Sequence, residues 1–247
     1  MTFSKRVKSY LMKRIFGTFG TDNGINRDKW VESQLQAIPA GQRILDAGAG
    51  QCKYKSLCSH LNYTSQDFNQ YTGKGDGHGF QTETWDTSQI DIVSDIVNIP
   101  RPDSSFDVIL CTEVFEHIFR PEAAVREFSR LLVPGGKLIL TAPFCSLTHF
   151  APYHFSTGFN RYWYEQVLSE NNFIVEAITP NGNYFSYLAQ EIMRIHSMGK
   201  IYSGVGIGIR GLIGAYLMLR RLKTMGMHDT CSSEVLCFGY HVIARRS

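Results

Sequence analysis

The sequence predicts an α/β protein built on a doubly wound, mostly parallel β-sheet. Short apolar runs of strand length recur along the chain, and segments with helical periodicity separate them. A helix is the usual connection between parallel strands, so this alternation favours parallel pairing. The length of 247 residues suits one such domain with insertions.

Seven runs are predicted to be strands: 43–47, 63–68, 90–94, 106–112, 137–142, 173–179 and 235–244. Helices are predicted over residues 28–38, 121–132 and 162–170. We therefore expect a single domain over residues 1–247. Residues 1–38 would form a helical N-terminal extension, and residues 181–234 an apolar, basic helical insertion before the last strand.

The charge is unevenly distributed along the chain. The net charge is only +3, yet residues 1–20 and 192–228 contain Lys and Arg with no Asp or Glu. Two basic, apolar segments on an otherwise acidic protein indicate patches that face a membrane or a partner. We therefore expect no nucleic-acid partner, and we expect peripheral membrane contact through residues 1–20 and 200–223.

The six cysteines show no CxxC pair and no spacing typical of zinc sites. The basic N-terminus lacks the continuous apolar run and the cleavage site of a secretory signal. Free thiols without an export signal predict a cytoplasmic protein, peripheral to the membrane if the basic segments bind lipid.

A glycine loop follows the first predicted strand, in the segment Asp46-Ala-Gly48-Ala-Gly50. Gly48 and Gly50 leave space for a ligand to approach the backbone. A dinucleotide-binding loop would have a third glycine where this chain has Lys53. The loop therefore favours a ligand without a pyrophosphate.

Acidic residues follow the next three predicted strands. Asp67, beside Phe68, ends the second strand, and its carboxylate can accept hydrogen bonds from both hydroxyls of a ribose. Asp95 and Ile96 can address an adenine edge, and Glu113 can meet a cationic amine. Ligands of doubly wound sheets bind beyond the carboxyl ends of the strands, so these residues are predicted to share one site. Helix capping is the alternative role for Asp95 and Glu113.

Together these motifs resemble class I S-adenosylmethionine-dependent methyltransferases, in particular the methyltransferase type 11 group. The resemblance covers about residues 40–180. It is carried by ILDAGAG at 44–50, Asp67, Ser94-Asp95-Ile96, FDVILCTEVFEHI at 106–118 and RLLVPGGKLILTAP at 130–143. It implies S-adenosylmethionine as cofactor and a Rossmann-like sheet whose last strand is antiparallel.

The resemblance also implies cofactor-binding roles for particular residues, namely Asp46, Gly48, Gly50, Asp67, Phe68, Asp95, Ile96 and Glu113. Cys52 stands where the family often has a third glycine or a small residue, so the end of the loop departs from the pattern.

More narrowly, the chain resembles bacterial methyltransferases linked to surface-polysaccharide synthesis. Three segments carry this similarity: Thr141-Ala-Pro-Phe144, His149 with Pro152-Tyr-His-Phe155, and Asn181-Gly-Asn-Tyr184. The narrower resemblance implies O-methylation of a glycan or glycan-lipid precursor. A quinone-like or other small lipid-soluble acceptor is the alternative, and a non-catalytic protein that binds the cofactor is a third hypothesis.

Transfer to a hydroxyl needs a base, and histidine has an unperturbed pKa near the working pH. His154, His149 and His117 are the candidates, and structural roles in a loop or turn are the alternative for each. Aromatic residues around His149 and His154 predict an acceptor wall. No acidic cluster has the spacing of a magnesium site, so we expect no metal.

The apolar segment 201–219 is interpreted in three ways. It can form a lid or a helix pair that binds a partner. It can also lie in the membrane interface, or it can span the membrane. Arg210 and the five glycines at 204, 206, 208, 211 and 214 count against a span.

Overall fold

The computed structural model describes residues 17–82 and 84–247. Its strands are β1 (Arg43–Ala47), β2 (Asn62–Asp67), β3 (Ile92–Val93), β4 (Phe106–Thr112), β5 (Leu132–Pro143), β6 (Phe173–Asn181) and β7 (Gly239–Arg246). Its α-helices are α1 (Asn23–Gln36), α2 (Pro121–Leu131), α3 (Arg161–Glu170), α4 (Tyr184–Ser203) and α5 (Gly208–Met227). Residues 1–16 of the predicted N-terminal helical extension lie outside the described residues.

Within the described residues, the strands form one seven-stranded sheet in the order β3-β2-β1-β4-β5-β7-β6. β1 pairs in parallel with β2 and β4, and β5 pairs in parallel with β4. β7 runs antiparallel to β5. The predicted fold class, including the antiparallel last strand, is therefore confirmed.

The central strands are buried because helices cover them. Ile44 of β1, Val108 of β4 and Ile139 of β5 pack in one core cluster with Val31 and Leu35 of α1. Strands that are buried on both faces consist of nearly continuous apolar residues. For this reason, the bounds that the sequence predicts for β1 and β4 agree with those in the structure.

Several element boundaries differ from the prediction. β7 begins at Gly239 and not at 235, since its ladder with β5 starts where Gly239 meets Pro143. β5 begins at Leu132, five residues before the predicted start at 137, and Pro134-Gly135-Gly136 lies inside this strand, at a register irregularity. α1 begins at Asn23, five residues before the predicted start at 28.

The described chain divides into two compact units. One contains residues 27–180 and 239–247, and therefore nearly the whole sheet. The other contains residues 17–26 and 181–238, and is built on α4 and α5. The expectation of a single functional domain over residues 1–247 stays a prediction.

The unit of α4 and α5 has its own small core. Leu219 and Leu222 of α5 are buried against Ala189 of α4, with Phe185 and Ile192 packed beside them. α4 ends at Ser203, and the next residue, Gly204, has a left-handed backbone with a φ of 70°. The apolar segment 201–219 is thus split between two helices. In residues 17–82 and 84–247, no helix combines the length and the hydropathy that a membrane crossing needs.

Candidate functional site

A cavity of about 530 Å³ lies at the carboxyl ends of β1 to β4. This volume is in the range of pockets that bind small molecules. Its lining brings together seven residues predicted from four separate strand ends: Gly48, Asp67, Phe68, Asp95, Ile96, Glu113 and His117. Among the described residues, Asp46, Gly50, His149 and His154 lie outside this lining.

Asp67 is buried at the end of β2, where it organises the glycine loop. Its Oδ2 accepts a hydrogen bond from the Gly50 amide at 3.0 Å, and its Oδ1 accepts one from the Asn69 amide at 2.8 Å. Burial raises the pKa of this carboxyl, and the amide donors oppose the rise. Each carboxylate oxygen has two acceptor positions, so both oxygens retain one for a ligand in the cavity.

The two glycines of the loop are required by the protein's own packing. Gly48 has a φ of 73°, and a Cβ there would lie 2.6 Å from a Val114 methyl group. Gly50 has a φ of 53°, and a Cβ there would lie 3.0 Å from the Trp85 ring. The sequence interpretation attributed both glycines to ligand approach. The structure adds left-handed backbone and close side-chain contact as reasons.

Asp46 lies beneath the loop. Its Oδ2 accepts a hydrogen bond from the Tyr63 hydroxyl at 2.7 Å. Burial raises the pKa of Asp46 to about 6; the Tyr63 hydrogen bond opposes this rise, and the nearby Asp67 charge adds to it. Asp46 is thus bound to Tyr63 and does not line the cavity.

Asp95 and Ile96 occupy the connection after β3. Asp95 is exposed, and its Oδ1 accepts a hydrogen bond from the Val97 amide at 3.1 Å, which closes a local turn. Ile96 is buried at the same edge. The pair therefore presents one polar and one apolar group to the cavity.

Glu113 has partners that sequence reasoning did not identify. Arg27 of α1 donates from Nη1 to Oε2 at 2.6 Å, and the Thr141 hydroxyl donates to Oε1 at 3.0 Å. Glu113 also has a φ of 54°, a strained conformation for a residue with a side chain. The carboxylate expected to meet a cationic amine thus already faces a guanidinium.

The three predicted histidines lie together. The ring centroids of His117 and His149 are 4.7 Å apart, and those of His149 and His154 are 4.9 Å apart. His117 Nδ1 donates to the Tyr153 carbonyl, and His149 Nδ1 donates to the Leu147 carbonyl at 2.8 Å. Burial lowers the pKa of His117 to about 3, so this ring is neutral near pH 7.

Glu116 completes this cluster, and the sequence analysis assigned it no role. The side chain is 1% exposed, and burial raises the pKa of its carboxyl, as does the nearby Glu113 charge. Its Oε1 lies 3.7 Å from His117 Nε2 and 3.8 Å from His149 Nε2. In the sequence, Glu116 directly precedes His117 within FDVILCTEVFEHI, and this adjacency could have indicated that Glu116 belongs to the site.

Aromatic side chains form much of the cavity wall. The segment predicted to be the acceptor wall contributes Phe150, Tyr153 and Phe155. Tyr71 stacks on Phe150 at 4.6 Å, and Trp85 meets Phe150 edge-on at 5.3 Å. The sequence did not identify Tyr71 and Trp85, because they come from the long connection between β2 and β3.

The glycine-rich part of that connection holds the wall in place. This part comprises residues 73–79, which contain four glycines. In the structure, Phe80 forms an isolated parallel bridge with His149, and the Phe150 amide donates to the Phe80 carbonyl at 2.9 Å. A Cβ at Gly79 would lie 2.6 Å from the Thr148 carbonyl oxygen, so only glycine allows this approach.

The amino-acid sequence of this chain is similar to those of known methyltransferases. Residues 45–140 match a family model described as a methyltransferase domain. The ubiquinone biosynthesis O-methyltransferase of Xanthomonas oryzae is 32% identical over 105 residues, which cover 41% of this chain and 43% of that protein. The tRNA (carboxymethyluridine(34)-5-O)-methyltransferase of Arabidopsis thaliana is 30% identical over 118 residues, which cover 46% of this chain and 27% of that protein. The match therefore spans less than half the length of either relative.

A solved structure shows the same fold. It belongs to a Bacillus halodurans protein described as a candidate methyltransferase, with a TM-score of 0.53 and 14% identity, and covers 89% of this chain and 98% of that one. The family match identifies residues 45–140 as a methyltransferase domain, and the sheet order and this likeness show the Rossmann-like fold of such domains. The cofactor of such a domain is S-adenosylmethionine.

Proposed function

We propose that this chain transfers a methyl group from S-adenosylmethionine to a hydroxyl oxygen of a small, largely apolar acceptor such as a phenol or quinol. The observation that carries the proposal is the composition of the cavity. Polar residues from the strand ends and aromatic rings both contribute to its lining, and one of these rings, Phe150, stacks on His117 at 5.1 Å. The polar residues suit the cofactor, and the aromatic rings suit a flat, apolar acceptor.

The residues at the strand ends fit the cofactor. Asp67 offers two carboxylate oxygens for the ribose hydroxyls, while Phe68 and Ile96 offer apolar surface beside an adenine ring. Glu113 and Asp95 are the acceptors for its amino groups. Bound there, S-adenosylmethionine supplies a methyl group activated by a sulfonium.

The aromatic wall would orient the acceptor and exclude water. Holding the nucleophilic oxygen in line with the methyl carbon can contribute several kcal/mol to catalysis. A neutral imidazole nearby can take the hydroxyl proton. Of the candidate bases, His117 lines the cavity but has a lowered pKa, and His154 shares its Nε2 with the Ser146 hydroxyl at 3.1 Å. His149 is therefore the base that we favour.

A glycan or glycan-lipid acceptor is the second candidate. Gln70 and Arg120 also line the cavity, and their side chains can form hydrogen bonds with sugar hydroxyls. The similarity to the ubiquinone biosynthesis O-methyltransferase favours the quinol, and the resemblance to polysaccharide-linked methyltransferases favours the glycan.

A direct assay of methyl transfer distinguishes between the two candidate acceptors. Purified protein is incubated with S-adenosylmethionine and either a dihydroxybenzene, the same ring with a long alkyl chain, or a hexose linked to a lipid. We expect mass spectrometry to find one added CH₂ unit on the ring compounds, more with the alkyl chain. Methylation of the hexose alone would replace the first candidate with the second. Cofactor binding without turnover on any compound in the series would favour a non-catalytic role.

We also propose that the enzyme meets its acceptor at an anionic membrane surface. One face of α5 exposes Ile209, Ile213 and Leu217, which are 74%, 56% and 58% exposed and recur every four residues. Arg210, exposed near the start of this helix, and a basic pair near its end add positive charge, with no acid between residues 192 and 228. An apolar stripe flanked by cations is the pattern of a helix that lies in the lipid interface.

Reversing two charges at the end of α5 tests this contact. Because each cation near an anionic surface contributes about 1 kcal/mol, Arg220→Glu/Arg221→Glu should weaken binding to vesicles containing phosphatidylglycerol by more than about tenfold. Flotation at low salt measures the bound fraction. Lys29→Glu/Lys74→Glu, which reverses two exposed lysines on the other unit, is the matched control. Equal flotation of both variants and the wild type, or none by the wild type, would refute the proposal.

A further inference from the structure

Beside the cavity wall, three side chains converge on one point through Glu116 Oε1, His117 Nε2 and His149 Nε2. All three atoms lie within 4.8 Å of one another. We propose that these residues form a binding site for one divalent metal ion of the kind that prefers imidazole ligands, such as Zn²⁺.

The arrangement leaves buried polar atoms without partners. The separations of 3.7 Å and 3.8 Å between Glu116 Oε1 and the two imidazole nitrogens are too long for hydrogen bonds. In the part of the chain that the structure describes, Glu116 Oε2 and His117 Nε2 are buried without a hydrogen-bond partner. Leaving a buried polar group unpaired costs about 1–3 kcal/mol. A cation bound by this cluster would satisfy His117 Nε2 directly, and it would also interact favourably with the charge of the Glu116 carboxylate.

Both histidines are held in the tautomer that a metal requires. A backbone carbonyl can only accept, so His117 and His149 carry their protons on Nδ1, where they donate to Tyr153 and Leu147. Their Nε2 lone pairs are therefore free to coordinate. Ligating histidines usually donate the other ring N–H to a carbonyl or carboxylate in this way.

The donor set identifies the class of ion. Two imidazoles and one carboxylate are the ligands of many catalytic zinc sites, in which a further position stays open. Magnesium and calcium prefer oxygen ligands alone, which this cluster does not supply. With metal–ligand distances of about 2.1 Å, tetrahedral ligands lie roughly 3.4 Å apart. The two separations from Glu116 Oε1 to the imidazole nitrogens, 3.7 Å and 3.8 Å, must therefore shorten by a few tenths of an ångström. The two imidazole nitrogens, which lie within 4.8 Å of each other, must approach to the same spacing.

The role of the ion rests on the proposed function. His117 also lines the cavity, so an ion on its Nε2 would be adjacent to the acceptor. Coordination of the acceptor hydroxyl would lower its pKa, and its proton would leave to His154 or to water. The oxygen then forms the bond to the methyl carbon as the carbon–sulfur bond breaks, and the electron pair returns to sulfur. With the ion bound, His149 and His117 would serve as ligands, and His154 would replace His149 as the base.

Direct metal titration tests the site. Full-length protein stripped with a chelator is titrated with Zn²⁺ against a chromophoric competitor, and with Co²⁺ by its visible absorption. We expect one tight equivalent in the wild type and at least about tenfold weaker binding in His149→Ala and in Glu116→Gln. His78→Ala, which removes an 86% exposed histidine, should bind as the wild type does.

The outcomes separate this proposal from the proposed function. Calorimetry with S-adenosylmethionine shows that each variant is folded, since neither substitution removes a residue expected to hold the cofactor. A wild type that binds no tight equivalent, or variants that bind as tightly as the wild type, would overturn the metal site whatever the assay of methyl transfer shows. Tight binding that depends on both residues, without methyl transfer to any acceptor, would sustain the site and count against the proposed function.

Discussion

Replacing Asp67 by asparagine is expected to weaken binding of S-adenosylmethionine about 100-fold, with the chain still folded. Hydrogen bonds to a charged acceptor contribute about 1.5–3 kcal/mol each, and an amide retains only one accepting atom. The loss of about 3 kcal/mol corresponds to that factor in affinity. The new NH₂ group would also face the amide of Gly50 or Asn69, both of which donate to Asp67.

Isothermal calorimetry of the purified variant measures this effect, and circular dichroism reports whether the fold is kept. Asp76→Asn is the matched control, because Asp76 is an exposed carboxylate that accepts a hydrogen bond from the nearby His78 amide. Its affinity should equal that of the wild type. An unchanged affinity in Asp67→Asn would mean that the ribose is held elsewhere and that the proposed cofactor site is wrong.

The fold was largely predictable because its signals are local. β1 and β4 are buried apolar runs, and each is long enough to stand out from its neighbours. β3 has only two residues, Ile92 and Val93, and its predicted length of five was wrong. The start of β7 depends on where β5 ends on the opposite side of the ladder, and no property of residues 235–238 reveals this.

The residues of the site that come directly after a strand could be predicted from the sequence. Gly48, Asp67, Ile96 and Glu113 come together because parallel strands end at one edge of a sheet. Arg27 reaches Glu113 from a helix that precedes the sheet in sequence, and Trp85 comes from an irregular connection. Tertiary packing alone places these two side chains, so neither periodicity nor spacing identifies them.

Asp46→Asn is expected to change the pH dependence of stability by about 2 kcal/mol between pH 4 and pH 6, out of about 3 kcal/mol for the whole titration. In the folded protein, burial raises the pKa of Asp46 from 3.8 to about 6. Between these values the folded state retains a proton that the unfolded state has lost, so stability falls as pH rises. A shift of about two units corresponds to about 3 kcal/mol. Asparagine does not titrate, so the variant lacks this loss and gains stability relative to the wild type as pH rises.

Urea unfolding at pH 4.5, 5.5, 6.5 and 7.5 measures the difference in free energy between variant and wild type. Glu116 is a buried carboxyl whose pKa shift does not come from Asp46, so its titration is common to both proteins and cancels in that difference. The charge of Asp67, in contrast, acts on Asp46 itself and is part of the effect measured. Asp107→Asn is the control of opposite sign, because hydrogen bonds from Arg43 lower the pKa of Asp107 and its contribution is lost only as the pH falls below about 4. The Asp107 difference should therefore stay flat from pH 5.5 to 7.5. A flat difference for Asp46→Asn over the whole range would show that Asp46 ionises normally, and thus that the floor of the glycine loop is open to water.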